Sequence, residues 1–305
     1  MIASALAVSP ILGQRWVLVY AGHGRHYGAD QFQHMLYPEG TKHPIFDGIV
    51  TLDISSPQGH SFTTWAKGPP SIADYWAYLD SLFSPGSPLT VADSIVRAHT
   101  DTLLLAVMVP YPLGKTSRSP PTDPRIGFLG DYFARAESLF TARGYRALRL
   151  WGYYWLPEAV SIGDTVIVQR FTTLAHWQGL KTLWMPTFLG GSEFDWRRFG
   201  FDEAFLQPNY FFYPAVPATR LDSAVSRALA VEMGLGIEFD KRLLTDTVFR
   251  KRLEPYLTAL EKGPGRAIRN IAVYDGGGAM DQIAVSQDPY LTALFRRLVG
   301  RLTGP

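Results

Sequence analysis

Eight short apolar runs, separated by segments with helical periodicity, constrain the fold more than any other feature of this sequence. Several runs are almost continuous in apolar residues, such as WVLVY, TLLLAVMV and NIAVY, which is typical of parallel strands buried on both faces. The runs cover residues 16–20, 48–54, 102–109, 147–152, 181–186, 203–207, 235–239 and 270–274. Amphipathic helical patterns lie between them, most clearly over residues 132–143, 164–177, 220–233 and 247–260. This alternation predicts an α/β fold, a single (β/α)8 TIM-type barrel.

An open doubly wound sheet would show a similar alternation of strands and helices. The glycine patterns that bind phosphate in that class, G-x-G-x-x-G and G-x-x-x-x-G-K-[ST], are absent from the sequence. The glycines at residues 276–278 follow Tyr274 and Asp275, and we interpret them as a mobile loop at which no helix starts. The closed barrel is therefore the preferred prediction.

The length of 305 residues fits one large barrel domain, which we place at residues 15–305. Residues 1–14 are interpreted as an N-terminal tail or the remnant of an export signal, because they are small and apolar and Ala5-Leu6-Ala7 has the form of a cleavage site. A periplasmic or extracellular location and a cytoplasmic one both stay open. Two stretches rich in Ser, Pro and Gly, residues 55–91 and 111–124, predict long loops on the C-terminal face of the barrel.

The composition excludes several classes of function. Twenty-nine basic and 27 acidic residues give a net charge of +2 without a long basic run, so no nucleic-acid partner is expected. No apolar stretch is long enough to predict a membrane span. Cysteine is absent, which excludes disulfides, thiolate metal sites and a cysteine nucleophile. The histidines at 23, 26 and 34 are scattered, with no H-E-x-x-H pattern, so neither a metal nor another cofactor is expected. The sequence leaves the oligomeric state open.

Carboxyl groups follow the predicted strand ends, where barrel enzymes carry their active sites. Glu158 follows the fourth strand, Glu238 and Asp240 lie at the end of the seventh, and Asp275 follows the eighth. Cleaving a glycosidic bond requires one carboxylic acid to protonate the leaving oxygen and a second carboxylate as nucleophile or base. We interpret Glu158 as the acid and Glu238 as the nucleophile or base, assisted by Asp240 and Asp275. The structural alternatives are a salt bridge of Glu238 with Lys241 or Arg242, and a helix-entry role for Glu158.

Aromatic and amide side chains accompany these carboxyl groups. Sugars present C–H faces that pack on aromatic rings and hydroxyls that bond to amides and carboxylates. The predicted binding residues are Tyr154, Trp155, Trp184, Gln207, Asn209, Tyr210 and Tyr274. Gln207 and Asn209 are expected to hold sugar hydroxyls. Trp155, Trp184 and Tyr210 are interpreted as a stacking platform, with a core role as the alternative.

Four segments of the chain, GYYWLPE, LWMPTF, WRRFGFDEAFLQPNYFF and MGLGIEFD, resemble the DUF4855 family of uncharacterised bacterial proteins. The resemblance runs from about Val17 to the end, and its most specific part is the QPNY block at residues 207–210. Members of this family look like barrel glycosidases, so the resemblance implies the same fold. Thr187 stands where a tyrosine is expected and Gly236 where an acidic residue is expected. The acidic cluster on the seventh strand is therefore thinner than the family pattern.

The leading prediction is a glycoside hydrolase that cleaves a polysaccharide or glycan with a pair of carboxylates. The alternative is a non-catalytic carbohydrate-binding barrel, and a third hypothesis is a metal-dependent hydrolase that uses the early histidines. If Glu158 is the acid, the apolar residues Trp155, Leu156 and Pro157 should raise its pKa, whereas Glu238 should stay ionised.

Overall fold

The computed structural model describes residues 14–23, 27–63, 70–112, 123–191 and 193–304, with Glu193 described by its backbone only. Within them, parallel strands form a closed barrel in which each strand pairs with the next along the chain and β8 pairs with β1. The strands are β1 (Arg15–Tyr20), β2 (Gly48–Leu52), β3 (Leu103–Val109), β4 (Leu148–Trp155), β5 (Lys181–Trp184), β6 (Glu203–Leu206), β7 (Gly234–Asp240) and β8 (Ile271–Gly276). The predicted (β/α)8 barrel is confirmed.

Helices cover the outer face of the barrel. They are α1 (Ala29–Leu36), α2 (Ile72–Leu82), α3 (Pro88–Ala98), α4 (Pro124–Arg143), α5 (Thr165–Trp177), α6 (Trp196–Phe199), α7 (Thr219–Ala230), α8 (Arg242–Thr245), α9 (Thr247–Arg250), α10 (Glu254–Glu261), α11 (Ala279–Ala284) and α12 (Pro289–Thr303). In α7, for example, the buried residues Leu221, Ala224, Val225 and Ala228 recur at helical spacing and form one apolar stripe. The same pattern in the sequence predicted this helix.

A bulge in β4 determines which of its side chains face the cleft. The register pairs Leu105 with Leu150 and Ala106 with Gly152, so Trp151 is an extra residue in β4. The strand continues to Trp155 and so extends beyond the predicted end at residue 152. Side chains alternate between the two faces of a strand, so the position of the bulge decides the orientation of every residue after it.

The stretch of residues 55–91 is not one long loop, because it contains α2 and the first turn of α3. Ser71 caps α2 by accepting a hydrogen bond from the Asp74 backbone N–H, and the Ser71 backbone N–H donates to the Asp74 carboxylate. Residues 64–69 of this stretch, and residues 113–122 of the second one, lie outside the described residues.

Two further helix predictions need correction. The predicted helix at residues 247–260 divides into α9 and α10, since Pro255 in the first turn of α10 has no N–H to bond backward into α9. The glycine loop predicted at residues 276–278 leads directly into α11. Gly278 takes up the left-handed conformation, with φ of 84°, that precedes this helix.

The predicted N-terminal segment falls outside the described part of the chain except for Gln14. None of the described helices is long and apolar enough to cross a membrane.

Candidate active site

A cleft of about 620 Å³ opens at the C-terminal ends of the barrel strands. Its floor is formed by Tyr20 on β1, Leu52 on β2, Tyr154 on β4, Glu238 on β7 and Tyr274 on β8. Loops that follow β4 and β6 form its walls. The carboxyl-bearing residues that line the cleft are Glu158, Asp164 and Glu238. Characterised barrel enzymes carry their active sites at this end of the strands.

Glu238 is buried at the base of the cleft, with 3% of its surface exposed. Its Oε2 atom accepts hydrogen bonds from the Asn209 backbone N–H and the Tyr256 hydroxyl, both at 2.8 Å. Asn209 lies in the loop after β6 with φ of 50°, a left-handed conformation that asparagine tolerates. Burial raises the pKa of Glu238 to about 7, and the negative charge of Glu158 adds to this effect, whereas the donated hydrogen bonds oppose it.

Glu158 is an exposed residue that lines the same cleft as the buried Glu238. Its surface is open to solvent, but the cleft walls surround its carboxyl group closely enough that desolvation raises its pKa. A hydrogen bond with the Gln207 side chain acts in the opposite direction. The backbone oxygen of Glu158 accepts a 2.9 Å bond from the Thr187 N–H, which ties the loop after β4 to the end of β5. The structure thus brings Glu158 and Glu238 to one cleft.

The pKa of Glu158 is raised, as expected from the sequence, but the protonation of Glu238 in the free protein differs from the expectation. Glu238 was expected to be ionised, but its burial raises its pKa to about 7. Trp155 does not supply the expected apolar setting around Glu158, because its ring packs 5.1 Å from Phe171 on α5. Leu156 and Pro157 do line the cleft beside Glu158. Because the negative charge of Glu158 affects the pKa of Glu238, the two carboxyl groups titrate as a coupled pair.

Asp240 and Asp275 do not line the cleft. Asp240 forms an ion pair with Arg242 at 2.9 Å at the end of β7. Asp275 follows the inward-facing Tyr274 and so points away from the cleft, where its Oδ1 accepts a 2.5 Å bond from the Ala279 N–H at the start of α11. Burial raises the pKa of Asp275 to about 6. The structure assigns these two carboxylates to local contacts in place of the predicted assistance in the cleft.

Tyr154 and Tyr274 line the cleft, whereas the predicted stacking platform of Trp155, Trp184 and Tyr210 does not. Trp184 is fully buried, stacks on Phe201 at 5.2 Å and donates its indole N–H to the Pro157 carbonyl at 2.7 Å. Trp155 is 1% exposed and likewise faces the helices. Side chains alternate along a strand, and Trp155 follows the inward-facing Tyr154 and pairs with Trp184 across β4 and β5. Both tryptophans therefore point outward, into the layer between the barrel and the helices.

Tyr210 is also a buried residue and does not line the cleft. Its ring lies 5.7 Å from the ring of Tyr256 and 3.7 Å from the Arg252 guanidinium. Arg252 donates hydrogen bonds to backbone carbonyls of the loop after β6, including those of Phe211 and Tyr213. These contacts fix the loop that carries Asn209.

Gln207 and Asn209 line the cleft as predicted from sequence, but both also have structural partners. Gln207 donates from Nε2 to the Met185 carbonyl at 2.7 Å. The Oδ1 atom of Asn209 accepts bonds from the Thr187 hydroxyl at 2.6 Å and the Phe188 N–H at 2.8 Å. Their amides therefore hold the strand ends together beneath the two glutamates.

Almost the whole chain matches the model of one protein family. The model of the family DUF4855, a domain of unknown function, matches residues 15–300. The chain belongs to the DUF4855 family. No curated protein matches it.

Solved structures similar to this DUF4855 chain have the same barrel fold. One is a putative α-L-fucosidase from Bacteroides thetaiotaomicron, 14% identical over 99% of both chains with a TM-score of 0.51. Another is a xylanase and α-amylase inhibitor protein, XAIP-III, 10% identical over 96% of this chain and 99% of its own with a TM-score of 0.50. At such low identity the likeness shows the fold alone.

Several cleft residues of the DUF4855 chain were not identified from its sequence. Tyr20 ends β1, and its hydroxyl lies 2.7 Å from that of Tyr274. Phe212 and Tyr213 extend the loop after β6 into the cleft. The rule that strand ends form the site could have identified Tyr20. Tyr256 carries no such signal, because it lies on α10 and reaches Glu238 only through the packing of that helix.

A buried ion pair supports the cleft wall that Tyr111 and Asp164 form. Asp164 accepts hydrogen bonds from Arg125 at 2.8 Å and from the Tyr111 hydroxyl at 2.9 Å. Asp123 also pairs with Arg125, at 2.7 Å. Sequence reasoning did not single out these residues, since two aspartates and one arginine on separate segments show no common spacing.

The described part of the DUF4855 chain contains no cluster of side chains that would support the hypothesis of a histidine metal site. Across those residues no three His, Asp or Glu side chains converge at metal-binding distances. His34 lies 2.7 Å from Asp281 and links α1 to α11. His26 lies outside the described residues.

Proposed function

We propose that this protein hydrolyses glycosidic bonds in a polysaccharide or glycan, with Glu158 as the general acid and Glu238 as the nucleophile or base. The observation that carries the proposal is that one carboxyl group from the end of β4 and one from β7 line the same cleft within electrostatic reach of each other. Two carboxyl groups on opposite sides of a sugar are what glycosidic hydrolysis requires.

The surroundings of Glu238 suit a nucleophile or base. Its donors are the Asn209 N–H and the Tyr256 hydroxyl, which contact Oε2, and the Tyr210 backbone N–H, and all of them favour the ionised form that a nucleophile or base needs. Donors that hold one oxygen also fix the orientation of the whole carboxylate. Glu158 is exposed, so a leaving group can depart from it into solvent.

Substrate binding would set the working protonation state. The open Glu158 loses water when a sugar covers it, which raises its pKa, while Glu238 is already buried. The proton that the pair shares near neutral pH then moves to Glu158. The leaving oxygen receives this proton, and Glu238 attacks the anomeric carbon or deprotonates a water that attacks it.

A carbohydrate-binding protein without catalysis is the second candidate, favoured by the tyrosine-rich lining of the cleft. Tyr20, Tyr111, Tyr154, Tyr213 and Tyr274 all line it and offer rings and hydroxyls to a sugar. In that case the two glutamates would only accept hydrogen bonds from sugar hydroxyls.

The release of reducing ends from an array of bacterial and plant glycans separates the two candidates. The hydrolase should release reducing ends from at least one glycan, and Glu158→Gln or Glu238→Gln should abolish the release. Asp240→Asn serves as the matched control because Asp240 pairs with Arg242 outside the cleft. Binding without release by the wild-type protein would favour the second candidate, and release that survives Glu238→Gln would remove Glu238 from its proposed role.

A further inference from the structure

The two glutamates of the cleft have no basic partner among the described residues. Glu238 receives its hydrogen bonds from two backbone N–H groups and a tyrosine hydroxyl, and Glu158 receives one from an amide side chain. No lysine, arginine or histidine of the described chain lines the cleft. Among the described residues, two acidic groups thus face one cavity without a counter-ion, and their mutual repulsion disfavours ionisation of both.

The arginines near this end of the barrel have other contacts. Arg242 pairs with Asp240, Arg252 donates to backbone carbonyls, and Arg227 donates to the Phe188 carbonyl at 2.6 Å. Arg125 lies behind the wall, where two aspartates, Asp123 and Asp164, surround it. The buried cluster of Arg125, Asp123 and Asp164 therefore has a net charge of one negative unit when both aspartates are ionised. The charges that the described residues place around the cleft favour a positively charged ligand over a negative one.

Tyr154 supplies an independent observation that points to a ligand. It is 3% exposed and lies in the cleft floor, within electrostatic reach of Glu158. Its hydroxyl makes no hydrogen bond to any other residue that the structure describes. This hydroxyl opens into the cleft, so a ligand can bond to it without breaking a contact between described residues.

We infer that the sugar recognised by this cleft carries a free, protonated amino group, as a hexosamine does. This inference rests on the proposed function and specifies its substrate class. The ammonium group supplies the counter-ion that Glu158 and Glu238 lack, and the Tyr154 hydroxyl accepts one of its hydrogen bonds. N-acetylation removes that charge, and a uronic acid reverses it.

Such a substrate would also prepare the pair for catalysis. A hexosamine amino group next to the reacting carbon places its positive charge beside the carboxylate that attacks this carbon. That charge lowers the pKa of Glu238, which burial holds at about 7 in the free protein, and so favours its ionised form. Cleft binding of the amine is therefore expected to favour the state in which Glu238 is ionised and Glu158 holds the proton.

Calorimetric titration with three tetrasaccharides tests the inference without requiring turnover. The probes are β-1,4-linked glucosamine, its fully N-acetylated counterpart and tetragalacturonate, at about pH 5.5, where amino groups are protonated. The glucosamine tetramer should bind at least about tenfold more tightly than its N-acetylated counterpart, a ratio equivalent to ~1.4 kcal/mol.

Two adjacent tyrosines provide the matched variants. Tyr154→Phe should weaken the binding of the glucosamine tetramer by about tenfold, the effect of one hydrogen bond to a charged group. Tyr153→Phe should leave it unchanged, since the Tyr153 hydroxyl donates to the Phe133 carbonyl on the helix side of β4. A loss caused only by damage to β4 would appear in both variants.

Equal affinity for the glucosamine and N-acetylated tetramers, tighter binding of tetragalacturonate, or no measurable binding of any probe would overturn the inference. The proposed function fails separately. Hydrolysis of neutral glycans alone would support the proposed hydrolase function and contradict the inferred amino group on the substrate. Selective binding of the glucosamine tetramer with no reducing-end release from any glycan would support the inferred amino group and contradict the proposed hydrolase function.

Discussion

The Tyr256 hydroxyl on α10 donates a 2.8 Å hydrogen bond to Oε2 of Glu238 on β7. Both groups are buried, and the same hydroxyl accepts a 3.2 Å bond from the Phe211 N–H. A residue of the outer helix layer thus holds a carboxylate at the base of the cleft. Because the donated bond favours the charged form, it lowers the pKa of Glu238 against the opposing effect of burial.

Tyr256→Phe should therefore raise the pKa of Glu238 further. The acidic limb of the kcat/KM profile, which reports ionisation of Glu238, should move to higher pH, and the free energy of unfolding should fall by about 1–3 kcal/mol. Tyr132→Phe is the control, because the Tyr132 hydroxyl donates to the Met108 carbonyl at 2.7 Å in the core. A limb that moves equally in both variants, or in neither, would show that Tyr256 has only a structural role.

The raised pKa of Glu238 predicts how stability depends on pH. A carboxyl group whose folded-state pKa is about 7 contributes stability that is complete below its ordinary unfolded value and is lost as pH rises through 7. Glu238→Gln removes this ionisable group. It should raise the free energy of unfolding by about 1–3 kcal/mol at about pH 8 and by much less near pH 4.

Urea denaturation of wild type and Glu238→Gln at both pH values measures this difference. Glu137→Gln is the control, because Glu137 lies exposed on α4. A stabilisation by Glu238→Gln that is the same at both pH values would contradict the assignment to ionisation.

Trp155→Ala and Trp184→Ala should each lower the free energy of unfolding by about 3–5 kcal/mol, because both rings are almost completely buried between barrel and helices. Trp177→Ala should change it by less than about 0.5 kcal/mol, since Trp177 is 75% exposed at the end of α5. Urea denaturation checks all three. Near-normal stability of Trp155→Ala together with lost sugar binding would restore the interpretation of a stacking platform.

The barrel could be predicted from the sequence because strands buried on both faces have a strong local signal. Residues 16–20 are a continuous apolar run, and the predicted strand begins one residue after β1 begins. The strand predicted at residues 235–239 is one residue shorter than β7 at each end. The helix inside residues 55–91 was missed because Pro, Ser and Gly around it resemble loop composition. Ser71 is recognisable as the N-cap of this helix only from its hydrogen bonds with Asp74 in the structure.

The candidate site could be predicted only in part. Glu158, Glu238 and Gln207 follow from strand order alone, since all strands of a barrel end at one face. Trp155, Trp184 and Asp275 were misplaced because orientation depends on the parity of each residue along its strand. That parity depends in β4 on the bulge at Trp151, which has no signature in composition.

The most direct test of the Glu158–Glu238 pair is the kcat/KM profile against pH for wild type and Glu158→Gln. The substrate is an aryl glycoside, of the sugar identified by reducing-end release, whose leaving group departs without protonation. The account predicts that Glu158→Gln retains activity on this substrate while the alkaline limb, which reports loss of the Glu158 proton, disappears. An alkaline limb that survives the substitution unchanged would show that another residue is the acid.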